Sequence, residues 1–303
     1  MPGPITTGNH PKLMWPGIKA LFGVGYGEHP EEFRDLFDIS TSSQHYEEDL
    51  AVSGFPLVPV KQEGTSTTYA SHAQLYVSRY THVAYSMGWI VTYEELRDNL
   101  YPKLAASRSK SLGFSFRQTK ENVAANVYNR AFNASYTGGD GQVLVCSTHP
   151  SAIGSQSNIL SPAADFSEKA IEDMLIQIMG ATNWDGLKIG MMAQTLLVPR
   201  QIWFEANRVL KSTLRAGTGD NDINVIRMTG EFPGGIKINH YFSDTDAFFM
   251  RTNCPDGMKM YQRDSYDLKQ DNDFDTDNAK AKSYDRYSVG WSDWRAVYAS
   301  AGG

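Results

Sequence analysis

Two residue groups in this chain have types and spacings that are found in metal sites. Cys146 and His149 form a Cys-x-x-His pair, and thiolate and imidazole are both zinc ligands. A structural zinc site needs four ligands, and no second pair follows at a suitable spacing. We therefore interpret Cys146 as a buried free thiol and His149 as a surface histidine. The other histidines are scattered and make no His-x-x-x-His pair.

Four alternating aspartates have the spacing of the first half of a calcium loop: Asp271, Asp273, Asp275 and Asp277. The position that needs glycine is Thr276, however, and the position that needs a bidentate glutamate is Lys282. These departures favour a solvated acidic loop, with weak divalent-cation binding as the alternative.

Phosphate-binding and nucleophile motifs are missing from the sequence. Gly23, Gly25 and Gly27 alternate, but no strand pattern precedes them and no long helical pattern follows, so we interpret them as part of a flexible arm. Neither a Gly-x-x-x-x-Gly-Lys loop nor a Gly-x-Ser-x-Gly turn occurs. We expect no enzymatic activity, no catalytic residues, no cofactor and no metal site, because no nucleophile, base and orienting partner can be assembled.

Composition excludes several further classes. The 303 residues are 41% hydrophobic and 20% charged, which argues against disorder, and the net charge of −6 argues against bulk coating of nucleic acid. Two cysteines exclude a disulfide framework. The sequence contains no apolar run long enough to span a membrane and no signal-peptide pattern, so we expect a soluble protein made in the cytoplasm.

The elements that would position any site begin with two extended segments. Met1–Gly54 is rich in proline and glycine and predicts a loop-like arm, with one short amphipathic helix at Glu31–Ile39. Phe55–Thr92 has a strand-type composition around the polar centre Lys61–Ala70, which predicts a two-stranded hairpin. Such a hairpin is marginal alone, so we expect it to rest on another subunit.

A long basic helix is predicted at Glu94–Asn133, bent or interrupted at Pro102 and Gly113. Residues 96–132 carry a net charge of +5, whereas the arm carries −5. The charge bias is typical of a solvated helix face. We hypothesise in addition that arm and helix attract each other, within or between subunits.

The rest of the chain predicts an alternating α and β body. Helices are expected at Asp165–Met179, with Asp165 as its cap, and after Pro199. The predicted strands are Thr195–Val198, Asn224–Met228, Ile236–His240, Ala247–Thr252 and an aromatic final strand Tyr287–Tyr298.

This order of elements resembles the major capsid proteins of tailed bacteriophages of the Hong Kong 97 type. The most specific local matches are Leu196–Ser212 (LLVPRQIWFEANRVLKS) and the tail Arg286–Tyr298 (RYSVGWSDWRAVY). The resemblance implies an α+β fold with these parts: an N-terminal arm at 1–54, an extended loop at 55–93, the spine helix and first part of a peripheral domain at 94–161, an axial domain at 162–252, and a return to the peripheral domain with a closing strand at 253–303.

The function implied by the resemblance is that of a head protein that self-assembles through hexamers and pentamers into an icosahedral shell around double-stranded DNA. The implied partners are further copies of the chain, a portal protein, DNA held by weak non-specific contacts, and no membrane. A separate scaffolding protein is expected because the chain starts at Met1 with an arm. The implied location is the virion, after assembly in the host bacterial cytoplasm.

The candidate assembly contacts are charged residues of the hairpin and helix: Lys61, Glu63, Arg79, Arg108, Lys110 and Arg117. Some relatives cross-link a loop lysine to an asparagine; for Lys61 we favour an ordinary salt bridge. The alternatives are an encapsulin-like compartment shell, another phage structural protein of the tail or decoration type, and, ranked lowest, an α/β enzyme or a calcium-dependent sugar-binding protein.

Overall fold

The computed structural model describes residues 15–92, 94–95, 101–214, 223–273 and 278–303. Its helices are α1 (Trp15–Gly27), α2 (Phe33–Leu36), α3 (Tyr101–Asn129), α4 (Glu168–Met179), α5 (Trp203–Lys211) and α6 (Val225–Thr229). Its strands are β1 (Asp38–Thr41), β2 (Tyr46–Val52), β3 (Gln74–Thr81), β4 (Val83–Val91), β5 (Ala193–Pro199), β6 (Ile236–Asn239), β7 (Phe248–Thr252), β8 (Met258–Asn272), β9 (Ala279–Trp291) and β10 (Val297–Ser300). The predicted α+β class is confirmed.

Helix α1 corrects the prediction of a loop-like arm. It packs along α3, and two glycines bring the two backbones into contact. A Cβ atom at Gly25 would lie 2.1 Å from the carbonyl oxygen of Lys110, and one at Gly113 would lie 2.3 Å from that of Phe22. The glycines therefore permit a close helix crossing, and Gly113 does not interrupt α3.

The long helix and the first sheet form one layered unit. This sheet has the order β1-β8-β9-β4, with β8 and β9 as a long antiparallel hairpin and β1 parallel to β8. Its inner face, with Leu268, Ala279 and Ala281, packs against Phe22 and Phe116 of the helix pair. The sequence does not predict strand β8, because its alternating polar residues carry little strand signal.

A two-stranded ribbon lies against this unit, held by Asp49 and Tyr80, but its bounds differ from the prediction. Strand β2 pairs with β3 antiparallel, from Tyr46 opposite Thr81 to Val52 opposite Gln74. The ladder closes where the Ser53 amide donates to the Ala73 carbonyl at 2.9 Å. The ribbon thus begins inside the predicted arm. Residues 54–72, here called the excursion, contain no strand, and β4 leaves the ribbon to join the first sheet.

The second sheet has the order β10-β7-β5-β6 and separates two cores. Leu196 and Val198 face a core shared with α4 and α5, whereas Leu197 faces a core that contains Tyr128 of α3. The period-two alternation of β5 therefore ties the two halves of the molecule together.

Several predicted elements of this half change. The segment predicted as strand Asn224–Met228 is helix α6, because the Asn224 side chain accepts from the Arg227 amide and Gly230 ends the turn at φ +68°. Ser167, not Asp165, caps α4. Helix α5 begins at Trp203 rather than at Pro199. The predicted final strand is broken by a 3₁₀ turn at Trp294–Ala296, between β9 and β10.

Candidate assembly surfaces

The arm segment 28–38 lies on the body through a row of acid–base pairs. Each pair joins a carboxylate of this segment to a basic side chain of α3 or of the second sheet's margin: Glu28 to Lys110 at 2.9 Å, Glu31 to Arg117 at 2.9 Å, Glu32 to His240 at 2.5 Å, Asp35 to Lys237 at 3.1 Å and Asp38 to Arg251 at 3.1 Å. The hypothesis that arm and helix attract each other is confirmed within the subunit by the first two pairs.

The centre of this contact is buried. Arg117 is 2% exposed, donates to Glu31 and to the His29 carbonyl, and lies over the Tyr26 ring at 4.6 Å. Glu121 is fully buried and accepts the amides of Glu32 at 3.1 Å and Phe33 at 2.8 Å. Burial raises the pKa of Glu121 to about 7, against the opposing charge of Arg117. This segment is therefore docked by specific groups on α3.

The predicted contact residues fall into different settings. Lys61 and Glu63 are exposed on the excursion. Arg79 lies over the Tyr46 ring at 3.8 Å and 3.5 Å from Glu48. Arg108 pairs with Glu95 at 3.1 Å. Together with Lys110, these residues remain predicted subunit contacts.

Arg117 lies in a different setting from the rest of that set. Its side chain is 3% exposed and is held by Glu31 of the same chain. Arg117 is therefore buried within the single subunit, and its role as a subunit contact stays a prediction.

The excursion exposes apolar side chains that lack support within the subunit. Val58, Val60 and Tyr69 are 92%, 94% and 92% exposed, and Leu57 is 77% exposed. Clusters of exposed apolar residues mark protein-interaction surfaces. A second exposed apolar set, Phe204, Val225 and Met228, lies on α5 and α6.

The Cys146–His149 pair is arranged differently from the prediction. His149 is buried, stacks on Trp294 at a centroid distance of 4.2 Å, and lies 2.7 Å from the Asp140 carboxylate. Cys146 is only partly buried. The surface-histidine prediction is wrong because Asp140 and Asn158 supply polar partners inside the fold, which a single sequence does not reveal.

Asn158 presents a hydrogen-bond acceptor to His149. Its amide NH₂ donates to three carbonyls, those of Leu144, Trp294 and Val297, at 2.7–3.2 Å. Its oxygen is thereby turned toward His149 Nε2, at 3.1 Å. Since Nδ1 also faces a carboxylate oxygen, both neighbours of the ring are acceptors, an environment that favours the protonated form of His149.

Across the described residues, no group of three or more His, Cys, Asp or Glu side chains is placed to hold a metal ion. Asp273 pairs with Lys280, while Asp275, Thr276 and Asp277 lie outside the described residues. In the same part of the chain, no helix has both the length and the apolar character needed to cross a membrane.

The comparisons with known proteins decide the family. A family model described as "Phage capsid protein" matches residues 76–300. The chain belongs to the phage capsid protein family. No curated protein matches it in sequence. The resemblance to a phage capsid protein is thus confirmed, while the Hong Kong 97 subtype remains a prediction.

Solved structures show the same fold at low identity. The chain is similar to the virus-like particle protein from Pyrococcus furiosus, with a TM-score of 0.56 and 11% identity over 94% of this chain and 98% of that chain. It is also similar to the Mycobacterium phage Patience structure, with a TM-score of 0.53 and 11% identity over 99% and 90% of the two chains. The capsid of Myoviridae phage XM1 matches with a TM-score of 0.51 and 11% identity over 90% and 92%.

Membership of this family makes the chain a capsid shell protein and a component of the virion. Its role is structural, and self-association into a shell is the relevant activity. The charged residues around the arm and the apolar residues of the excursion are accordingly parts of an assembling subunit.

Proposed function

We propose that this phage capsid protein is the major head protein of a tailed phage of the Hong Kong 97 type, which assembles through hexamers and pentamers into an icosahedral shell around double-stranded DNA. The observation that carries the proposal is the excursion. Its apolar side chains are almost fully exposed in the single subunit. Each strongly exposed valine or leucine forgoes roughly 1.5–3 kcal/mol of burial, which a neighbouring subunit would supply.

The parts of the fold have separate tasks in this proposal. Helix α3 and the sheet β1-β8-β9-β4 form the peripheral domain, and α4–α6 with the sheet β10-β7-β5-β6 form the axial domain near the capsomer centre. The arm segment 28–38 is already docked within its own subunit. The ribbon β2–β3 carries the excursion away from the body to a neighbour.

The proposed partners beyond further copies are a separate scaffolding protein, a portal protein and packaged DNA, with assembly in the host bacterial cytoplasm. The net charge of −6 supports weak DNA contact, since phosphate contacts provide most non-specific affinity. A shell that does not grip DNA along its length leaves packaging free to proceed.

Electron microscopy of the expressed chain, with and without a scaffolding partner, tests this proposal. We expect closed shells with hexagonal and pentagonal capsomers, and tubes or separate trimers would contradict it. Val58→Asp combined with Val60→Asp should abolish shells, whereas Ile176→Asp, at a 66% exposed position of α4, is the matched control. Denatured shells should run as single subunits, and a ladder of joined subunits would reverse our interpretation of Lys61.

The fold matches by themselves are compatible with an encapsulin-like compartment, because they show architecture only. The family match favours the phage shell. No observation favours the tail, decoration or enzyme alternatives.

A further inference from the structure

Strand β4 is the outermost strand of the first sheet in the part of the chain that the structure describes. It pairs with β9 from Val83 opposite Tyr287 to Val91 opposite Ala279, and among the described residues no strand pairs with its other edge. The segment VAYSMGWIV contains no charged residue and no proline. Natural proteins normally protect edge strands with charges, prolines or bulges. A nine-residue edge without these devices is able to pair with an added strand.

Two contacts establish which backbone groups face the open edge. The Ser283 carbonyl accepts from the Ser86 hydroxyl at 3.0 Å, and the Ala281 carbonyl lies 2.4 Å from where a Cβ of Gly88 would be. These carbonyls of β9 therefore point toward β4, where Met87 and Trp89 are their ladder partners. Because N–H and C=O groups alternate sides along a strand, Ser86 and Gly88 direct theirs to the open edge.

A cleft lies between this edge and α3. Its volume is about 340 Å³, and its apolar lining comes from Tyr85 and Met87 of β4, Phe116 of α3 and Tyr287 of β9. Met87 and Ile90 are 49% and 58% exposed along the strand. Strand addition typically obtains affinity from main-chain hydrogen bonds and specificity from pockets for alternate side chains. The edge and the cleft together provide both.

The excursion offers a matching strand in one of its two halves. The half Phe55–Val60 contains Pro56 and Pro59. In an extended segment these two residues face opposite edges, so each edge lacks one N–H donor. The half Thr65–Ala73 has no proline and no Asp, Glu, Lys or Arg, is rich in threonine, and is exposed. Its end residues bond within the subunit, Thr65 to Gln62 and Ala73 to Ser53, and residues 66–72 belong to no strand of the subunit. Tyr69 at its centre is 92% exposed. Nine extended residues reach about 30 Å, enough to run along the whole of β4.

We propose that Thr65–Ala73 of one subunit adds a strand to the open edge of β4 in a second copy of the chain, with Tyr69 in the cleft beside Met87. The inference rests on the proposed shell function and specifies which surfaces meet. The backbone pairing holds the excursion, and the aromatic side chain fixes its register.

Photo-cross-linking tests this contact. The chain carrying p-benzoylphenylalanine in place of Tyr69 is assembled from a mixture of isotopically heavy and light subunits, irradiated and mapped by mass spectrometry. The expected product joins position 69 of one subunit to Met87, or a residue next to it, of another. The same probe in place of Tyr136, a 44% exposed tyrosine outside the excursion, should give no adduct on β4.

A proline substitution at the open edge provides a second test. Ser86→Pro removes an amide that the subunit itself does not use, and edge strands tolerate proline. It should lower the adduct yield roughly tenfold, the effect of one lost backbone hydrogen bond on association. Ser86→Ala, which keeps the amide, should leave the yield unchanged.

The outcomes separate the two proposals. Shells that form with adducts mapping away from β4 overturn the edge contact and leave the shell function standing. Absence of shells overturns the shell function, and the adducts of whatever oligomers form still decide the edge contact. A normal yield from Ser86→Pro also overturns strand addition.

Discussion

The raised pKa of the buried His149 predicts a specific pH dependence of stability. Burial alone would lower the pKa of His149, but the hydrogen bond to Asp140 and the neighbouring Cys146 thiol raise it above its ordinary value. A histidine with a raised folded-state pKa gives stability that is fully present below its unfolded pKa, about 6.5. That stability is lost as the pH rises through the folded-state pKa.

Asp140→Asn is the decisive perturbation. The Asp140 carboxylate and the His149 ring are 3% and 0% exposed, so the variant leaves a buried cation without its counter-charge. Removing one partner of a buried pair costs about 3–5 kcal/mol. For a chain of 303 residues this corresponds to an apparent Tm about 5–8 °C lower at pH 6.

The assay is the melting temperature of wild type and variant from pH 6 to pH 9, together with Asp264→Asn as an exposed control. The difference between wild type and Asp140→Asn should shrink as the pH rises, because the wild-type ring loses its proton. Asp264→Asn should change stability by no more than about 0.5 kcal/mol at any pH. A melting-temperature difference between wild type and Asp140→Asn that stays constant over this range would refute the raised pKa of His149.

Three further predictions concern how the arm and helices are held. Gly113→Ala should destabilise the α1–α3 crossing and speed proteolysis within residues 15–27, because its methyl group would meet the Phe22 carbonyl. The control Gly23→Ala should leave stability unchanged or raise it, because its methyl group would meet no atom within 4 Å. Tyr128→Phe should lower the free energy of unfolding by about 1–3 kcal/mol in chemical denaturation, because the Leu36 carbonyl, 2.9 Å from the hydroxyl, loses its buried donor. Tyr136→Phe is the exposed control, and equal effects of the two variants would contradict this prediction. Lys110→Ala should lower the free energy of unfolding by about 0–1 kcal/mol at low salt and by less at high salt. Arg117→Met should lower it by about 3–5 kcal/mol, with little response to salt. Equal salt dependence of the two variants would argue against the buried role of Arg117.

Local sequence signals identified the elements whose formation depends on near neighbours. The apolar stripe of α4, the short apolar strand β5 and the long basic helix α3 were all predicted, although their ends shifted by several residues. The opposed charges of arm and helix were also readable, and the structure converts them into Glu28–Lys110 and Glu31–Arg117.

The errors have a common physical origin in long-range partners. Gly23, Gly25 and Gly27 are typical of a flexible segment when read alone, yet all three lie in α1, which packs on α3 through Gly25. Strand β2 was assigned to the arm because its partner β3 lies more than twenty residues away. The open edge of β4 was missed for the opposite reason: its lack of charge and proline is visible in the sequence, but its position at a sheet edge is not.

The sequence by itself determined that this chain offers no catalytic motif, that it carries oppositely charged segments, and that its order of elements resembles a phage capsid protein. These properties reside in residue types and short spacings. Only the tertiary structure decided that Arg117 and His149 are interior residues and that Tyr69 and the β4 edge are left open. Burial depends on which distant segments pack together, and a charged or apolar side chain has no fixed environment until they do.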